Sequence, residues 1–176
     1  MKVLYLHQYF STPNGAAGTR SYDMAKKLIK RGHSVTMVCN SYEVADTGIK
    51  DKFSNGFRRG NVEGIDVIEF DLQYSNSLSF AKRIITFIRF TYKSINLAMK
   101  EDFDILFATS TPLTVGIPGV ISRIIRGKPF IFEVRDLWPE LPIAMGIIKN
   151  PVIIFILKIF EKIMYKSSDR LVGLSP

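Results

Sequence analysis

The chain has 176 residues and carries 24 Lys and Arg against 16 Asp and Glu, a net charge of +8. Its length fits one domain with a sizeable core, and 47% hydrophobic with 23% charged content is globular, not disordered. The positive balance favours an anionic partner: nucleic acid, anionic lipid or a phosphorylated substrate.

Lys2 to Tyr9 reads as a first strand. A glycine-bearing loop follows, from His7 through Gly15-Ala16-Ala17-Gly18 to Thr19. Thr19 to Arg31 then reads as a helix, with Met24, Ala25, Leu28 and Ile29 on one face and Gly32 ending it. Ser34 to Asn40 is a second strand. The polar stretch 41–60 reads as a loop, and Asn61 to Leu72 as a hairpin turning at Glu63-Gly64. Ser79 to Lys100 is a long helix, Asp104 to Ser110 a strand, Leu113 to Arg126 a helix and Pro129 to Val134 a strand. Val152 to Ser167 is a further helix, and Arg170 to Leu174 a last strand. Strands alternating with helices predict an α/β, Rossmann-like fold, a mainly parallel sheet with helices on both faces. A last strand aimed at a site, with nothing after it, leads to the expectation of a second domain beyond the chain.

The lone Cys39 lies in the apolar run 35–39 and has no partner for a disulfide, nor a Cys/His spacing for a metal. A buried structural thiol is expected. The start of the chain lacks the long apolar region of a secretory signal, and no run reaches the roughly eighteen apolar residues that span a bilayer. The expectation is a reducing, cytoplasmic setting.

Several segments point toward chemistry. Small residues at Gly15 to Gly18 let backbone approach a ligand, and the helix after them presents N–H groups to an anion. An ordinary strand-to-helix turn reads the same way. The spacing is not the Gly-x-Gly-x-x-Gly of a dinucleotide site, and Asn40 stands where that site needs an acid, which argues against an NAD enzyme. His7, near the end of the first strand, is either packed or functional. Thr109-Ser110-Thr111-Pro112 supplies hydroxyls for a sugar or phosphate, or else a helix cap.

The helix from Ser79 carries Lys82, Arg83, Arg89, Lys93 and Lys100 with no acid before Glu101. At about 100° per residue, Lys82, Arg89, Lys93 and Lys100 share one stripe, with Ile84, Ile88, Ile95 and Met99 opposite. The stripe is a solvated face or a contact for anionic lipid head groups. The apolar opening of the helix after Pro151 reads first as buried core, then as a domain interface, then as a membrane-surface element. No nucleic-acid motif appears.

The strongest cluster is Glu133-Val134-Arg135-Asp136-Leu137-Trp138-Pro139-Glu140, directly after the apolar run 129–132. In an open parallel sheet, ligands bind outside the carboxyl ends of strands. With the Gly15 to Gly18 loop, Lys30-Arg31-Gly32-His33, Thr109 to Thr114 and Asp169 to Ser175, this block resembles the N-terminal domain of glycosyltransferase family 4, of GT-B fold. The block from Thr109 to Pro139 is similar to the WbuB-like subgroup, which builds surface polysaccharide (capsule, O-antigen, lipopolysaccharide) on lipid-linked acceptors.

The resemblance implies sugar transfer from a nucleotide sugar with retention at the anomeric carbon, without a metal or other cofactor. It implies a nucleotide-binding C-terminal domain outside this chain, so the chain alone is expected to be inactive. By that likeness Gly15, Ala16, Ala17 and Gly18 approach the donor phosphates. His7, Tyr9, Arg20, Ser110, Thr111, Glu133, Trp138 and Glu140 belong on the acceptor side. Arg135 stands where many relatives have His. A guanidinium is no base near neutral pH but clamps phosphate bidentately. Arg135 is therefore expected to hold a diphosphate, and Asp136 to orient Arg135 or an acceptor hydroxyl; Asp136 as a purely structural partner or helix cap stays open. The implied partners are a nucleotide sugar, a lipid-linked saccharide and the anionic inner face of the cytoplasmic membrane. The competing reading is a non-catalytic docking module derived from such a domain.

Overall fold

Alternation along β1 (Lys2–Leu6) sets up both faces of the sheet, because successive strand side chains point opposite ways. Leu4 and Leu6 join one buried cluster, Val3 and Tyr5 another. The structure, a computed structural model, describes residues 1–174. After β1 come α1 (Arg20–Lys30), β2 (Ser34–Tyr42), β3 (Phe57–Val62), β4 (Ile65–Tyr74), α2 (Phe80–Lys100) and β5 (Ile105–Thr109). A 3-10 turn over Leu113–Gly116 leads into α3 (Ile117–Arg126). Then follow β6 (Phe130–Glu133), α4 (Glu140–Ala144), α5 (Pro151–Ser167) and β7 (Arg170–Val172).

The strands form one sheet in the order β3-β4-β2-β1-β5-β6-β7. All neighbours are parallel except β3 and β4. On one face α1 packs Tyr22 and Ala25 against Tyr5, Met37 and Val67. On the other, α2 buries Phe90 and Ala98, and α3 and α5 add Val120 and Met164, against Leu4, Leu106, Phe130 and Phe132. Cys39 is fully buried, and burial pushes its thiol pKa well up. The expected Rossmann-like α/β architecture is what forms.

The hairpin turns at Glu63 and Gly64, both at positive φ (51° and 91°), as expected. It begins earlier than its sequence indicated, at Phe57 inside the expected loop. The reason is its edge position. Arg58 and Arg59 on β3 pair with Glu69 and Asp66 across the hairpin. Charged residues on an edge strand discourage pairing with other chains and also make the strand read as loop.

Two apolar faces are not covered. In α5 only Met164 is buried, while Val152, Ile153, Phe155 and Ile156 are exposed, Phe155 by 66%. The expected buried core helix is therefore corrected: α5 touches the sheet along a narrow line and turns its opening turns outward. The first half of α2 does likewise. Phe80 and Ile88 are 62% and 60% exposed, whereas the second half is packed. Among the described residues no helix is long and apolar enough to cross a membrane.

Candidate functional site

β1 ends at Leu6, so His7, Gln8 and Tyr9 leave the sheet at its carboxyl edge. That edge is also where β5 and β6 deliver Ser110 and Arg135. Between them lies an open cavity of about 330 Å³ lined by His7, Tyr9, Ala16, Ala17, Gly18, Tyr42, Val44, Thr111, Arg135 and Asp136. The loops around Thr12 and Asp46 form its wall. Thr12 N–H donates to Asp46 O at 2.7 Å, and Ala16 N–H to Val44 O at 2.8 Å.

Arg135 is fixed from two directions. Its backbone N–H donates to Ser110 Oγ at 2.8 Å, and Nη1 lies 3.4 Å from His7 Nε2. A guanidinium only donates, so His7 Nε2 accepts. The proton then sits on Nδ1, which donates to Ser21 Oγ at 2.7 Å. Burial, with the Arg135 charge adding to it, lowers the His7 pKa to about 3. His7 is therefore a neutral prop for Arg135, not an acid or base at neutral pH. Among the described residues no other protein acceptor is bonded to the Arg135 guanidinium, which faces the cavity.

A protonation penalty follows for His7. Unfolded, it titrates near 6.5; folded, near 3, so the unfolded chain binds the extra proton in between. Stability is expected to fall on acidification through that window, by at most about 1.4 kcal/mol per pH unit. Carboxylates titrate there too, so the readout is a comparison. The stability gap between wild type and His7→Gln should narrow between pH 7 and pH 4 in urea unfolding. A constant gap would refute the assignment.

Asp136 forms no hydrogen bond or ion pair with Arg135, although both line the cavity. Its carboxylate accepts from Thr111 Oγ1 at 3.1 Å, on the exposed rim of the cavity. Glu133, expected on the acceptor side, does not face the cavity. It is 0% exposed and bonded to Arg20 Nε at 2.8 Å and Thr109 Oγ1 at 2.7 Å. Arg20 and Glu133 instead brace the ends of α1, β5 and β6. Trp138 and Glu140 also lie outside the cavity; Trp138 packs against the core cluster and Glu140 opens α4.

Gly15 and Gly18 separate in role. A Cβ on Gly18 would sit 4.0 Å from Arg135 Nη2, so Gly18 borders the guanidinium. A Cβ on Gly15 would come within 2.4 Å of the Asp46 backbone nitrogen. Gly15 is needed by the loop wall and does not line the cavity. Gly15→Ala is expected to cost about 1–3 kcal/mol in urea unfolding, through overpacking, whereas Gly18→Ala should leave stability near wild type. Equal stabilities would contradict the assignment.

Tyr42 and Val44 were missed because they fall at the junction of β2 and the stretch read as a loop. The rule that sites lie beyond strand ends would have found Tyr42. It packs against Tyr9 at a tilt and against Tyr74 edge-on, ring centres 5.2 and 5.6 Å away. Burial and Tyr74 raise the Tyr9 pKa, opposed by the nearby Arg83 charge. Arg83 Nε is buried without a partner. Lys93 is also withdrawn: Nζ donates to Gly56 O at 2.8 Å and lies over the Phe70 ring. Lys82, Arg89 and Lys100 stay exposed.

A profile of the family described as Glycosyl transferase 4-like domain matches residues 15–176. The chain belongs to this family. No curated protein matches it by sequence. The fold resembles sucrose-phosphate synthase from Thermosynechococcus elongatus (TM-score 0.61, 11% identity, 97% of this chain and 41% of that one). It also resembles trehalose-6-phosphate from E. coli bound with UDP-2-fluoro glucose (0.55, 13%, 97% and 39%). MurG of Acinetobacter baumannii is similar as well (0.51, 12%, 99% and 42%). The family domain thus spans about two-fifths of the length of these GT-B neighbours.

Proposed function

We propose that this chain is the acceptor-side half of a retaining glycosyltransferase of surface-polysaccharide synthesis. In this reading it passes a sugar from a nucleotide sugar to a lipid-linked, diphosphate-bearing saccharide at the inner membrane face. The observation that carries the reading is Arg135: a guanidinium with free donors, set at a cavity beyond the strand ends and propped by a neutral His7. Such a fork binds phosphate oxygens in pairs. Ala16, Ala17 and Gly18 line the same cavity and let a bulky diphosphate approach the backbone. Asp136, exposed at the rim, accepts a hydrogen bond from an acceptor hydroxyl. Tyr9 and Tyr42 offer aromatic faces to a sugar ring. The second domain supplies the nucleotide site, so the chain by itself turns over no substrate. Exposed Lys82 and Arg89 beside the apolar start of α2 draw the protein to anionic lipid.

The test is transfer by the full-length protein. Labelled nucleotide sugars are offered with a bacterial lipid extract. Label from at least one is expected in the solvent-extractable lipid fraction. Absence of transfer from every nucleotide sugar would favour the docking-module alternative.

A further inference from the structure

A second concavity adjoins the polar cavity. It is an apolar groove of about 220 Å³ between α2 and α5, walled by Phe80, Ile84, Ile88, Trp138, Leu157 and Phe160. Their linings meet along the chain. Thr111 lines the polar cavity and its neighbour Pro112 the groove; Asp136 lines the cavity and Trp138, two residues on, the groove. We infer that the groove holds the hydrocarbon chain, isoprenoid or other alkyl, of an amphiphilic substrate whose phosphate head sits at Arg135. This rests on the acceptor-side reading above.

Three observations converge. The groove walls leave large apolar side chains in water, at a cost of roughly 25 cal/mol per Å² that a hydrocarbon occupant removes. The charge around it is complementary to a phosphate head: α2 carries no acid, Lys82 and Arg89 are exposed, and Arg135 lines the neighbouring cavity. The shape is concave. A flat lipid surface would rest on the protruding Phe80, Ile88 and Phe155, while Trp138, Leu157 and Phe160, less exposed, are reached by a single chain lying in the groove.

Trp138 is the chain's single tryptophan, so its emission reports on the groove. The 176-residue chain is titrated with farnesyl diphosphate, inorganic diphosphate, farnesol and phosphatidylglycerol vesicles, with binding heats measured in parallel. Farnesyl diphosphate is expected to shift Trp138 emission saturably and to bind at least about tenfold more tightly than inorganic diphosphate. The double variant Ile84→Asn with Ile88→Asn replaces partly or largely exposed side chains, so it should fold. It is expected to weaken farnesyl diphosphate about tenfold and leave inorganic diphosphate unchanged. Equal affinities for the two diphosphates, or a variant that binds farnesyl diphosphate as wild type does, would overturn the inference. So would emission that responds to vesicles alone, which would mark a bilayer contact. If farnesol binds in a variant-sensitive way and diphosphate does not bind, the groove stands and the phosphate role of Arg135 falls.

Discussion

Arg135→Ala is expected to lower sugar transfer by the full-length protein about a hundredfold or more. Each hydrogen bond from a charged donor contributes about 1.5–3 kcal/mol, and a fork makes two. About 3 kcal/mol in the transition state is roughly a hundredfold in rate. The variant should still fold, because the Arg135 bond to Ser110 uses the backbone N–H and is kept. Arg135→Lys keeps the charge and loses the fork, so an intermediate rate is expected. His7→Gln should also slow transfer, by less, since it removes the prop and not the fork. Wild-type turnover in Arg135→Ala would exclude any phosphate-holding role for this residue.

The second large effect is on stability. Arg20→Ala is expected to cost about 2–3 kcal/mol, less than the ~3–5 kcal/mol for breaking a fully buried pair, because Arg20 is partly hydrated and screened. The pair is asymmetric: the Glu133 side chain is 1% exposed and that of Arg20 42%. Removing Arg20 leaves a carboxylate in the core with Thr109 as its remaining partner. Glu133→Gln keeps a hydrogen-bonding group there and leaves Arg20 partly hydrated, so a smaller loss is expected, about 1 kcal/mol. Urea unfolding of the two variants measures the order. An Arg20→Ala protein within 1 kcal/mol of wild type would show that the brace is dispensable. The pair also matters for the site, because Glu133 O accepts from Ser110 N–H at 2.8 Å and Ser110 in turn holds Arg135.

The sheet and its helices were legible because their residues are consistent at every level. Apolar alternation in β1, glycine after α1 and the Glu63-Gly64 turn each specify local geometry that the fold uses. β3 was hidden because an edge strand rich in arginine is polar on its own terms. The short α4 has no periodic signal in five residues. α5 misled because an apolar helix usually means burial, and here only one line of it is buried.

The site was legible in part. Its location beyond the strand ends was readable from Arg135 following an apolar run. Its wiring was not. The His7 to Arg135 contact joins residues 128 apart, and no local pattern records it. Glu133 is adjacent to the site in sequence but faces inward: side chains alternate along β6, so Phe132 packs on the side of α3 and α5 while Glu133 points to the start of α1, where Arg20 meets its carboxylate. Lys93 belongs to the basic stripe on a helical wheel, yet its ammonium donates to Gly56 O once α2 packs beside β3.

The central claim is that the Arg135 guanidinium is an open phosphate clamp. Titrating the chain, labelled with ¹⁵N-arginine, with inorganic diphosphate tests it most directly. The Arg135 side-chain N–H signals are expected to move saturably, ahead of those of Arg20 and Arg123, which are engaged with Glu133 and Asp169. Arg135→Ala should abolish saturable binding. If the Arg135 signals stay fixed while diphosphate binds elsewhere, or if Arg135→Ala binds as wild type does, the account is contradicted.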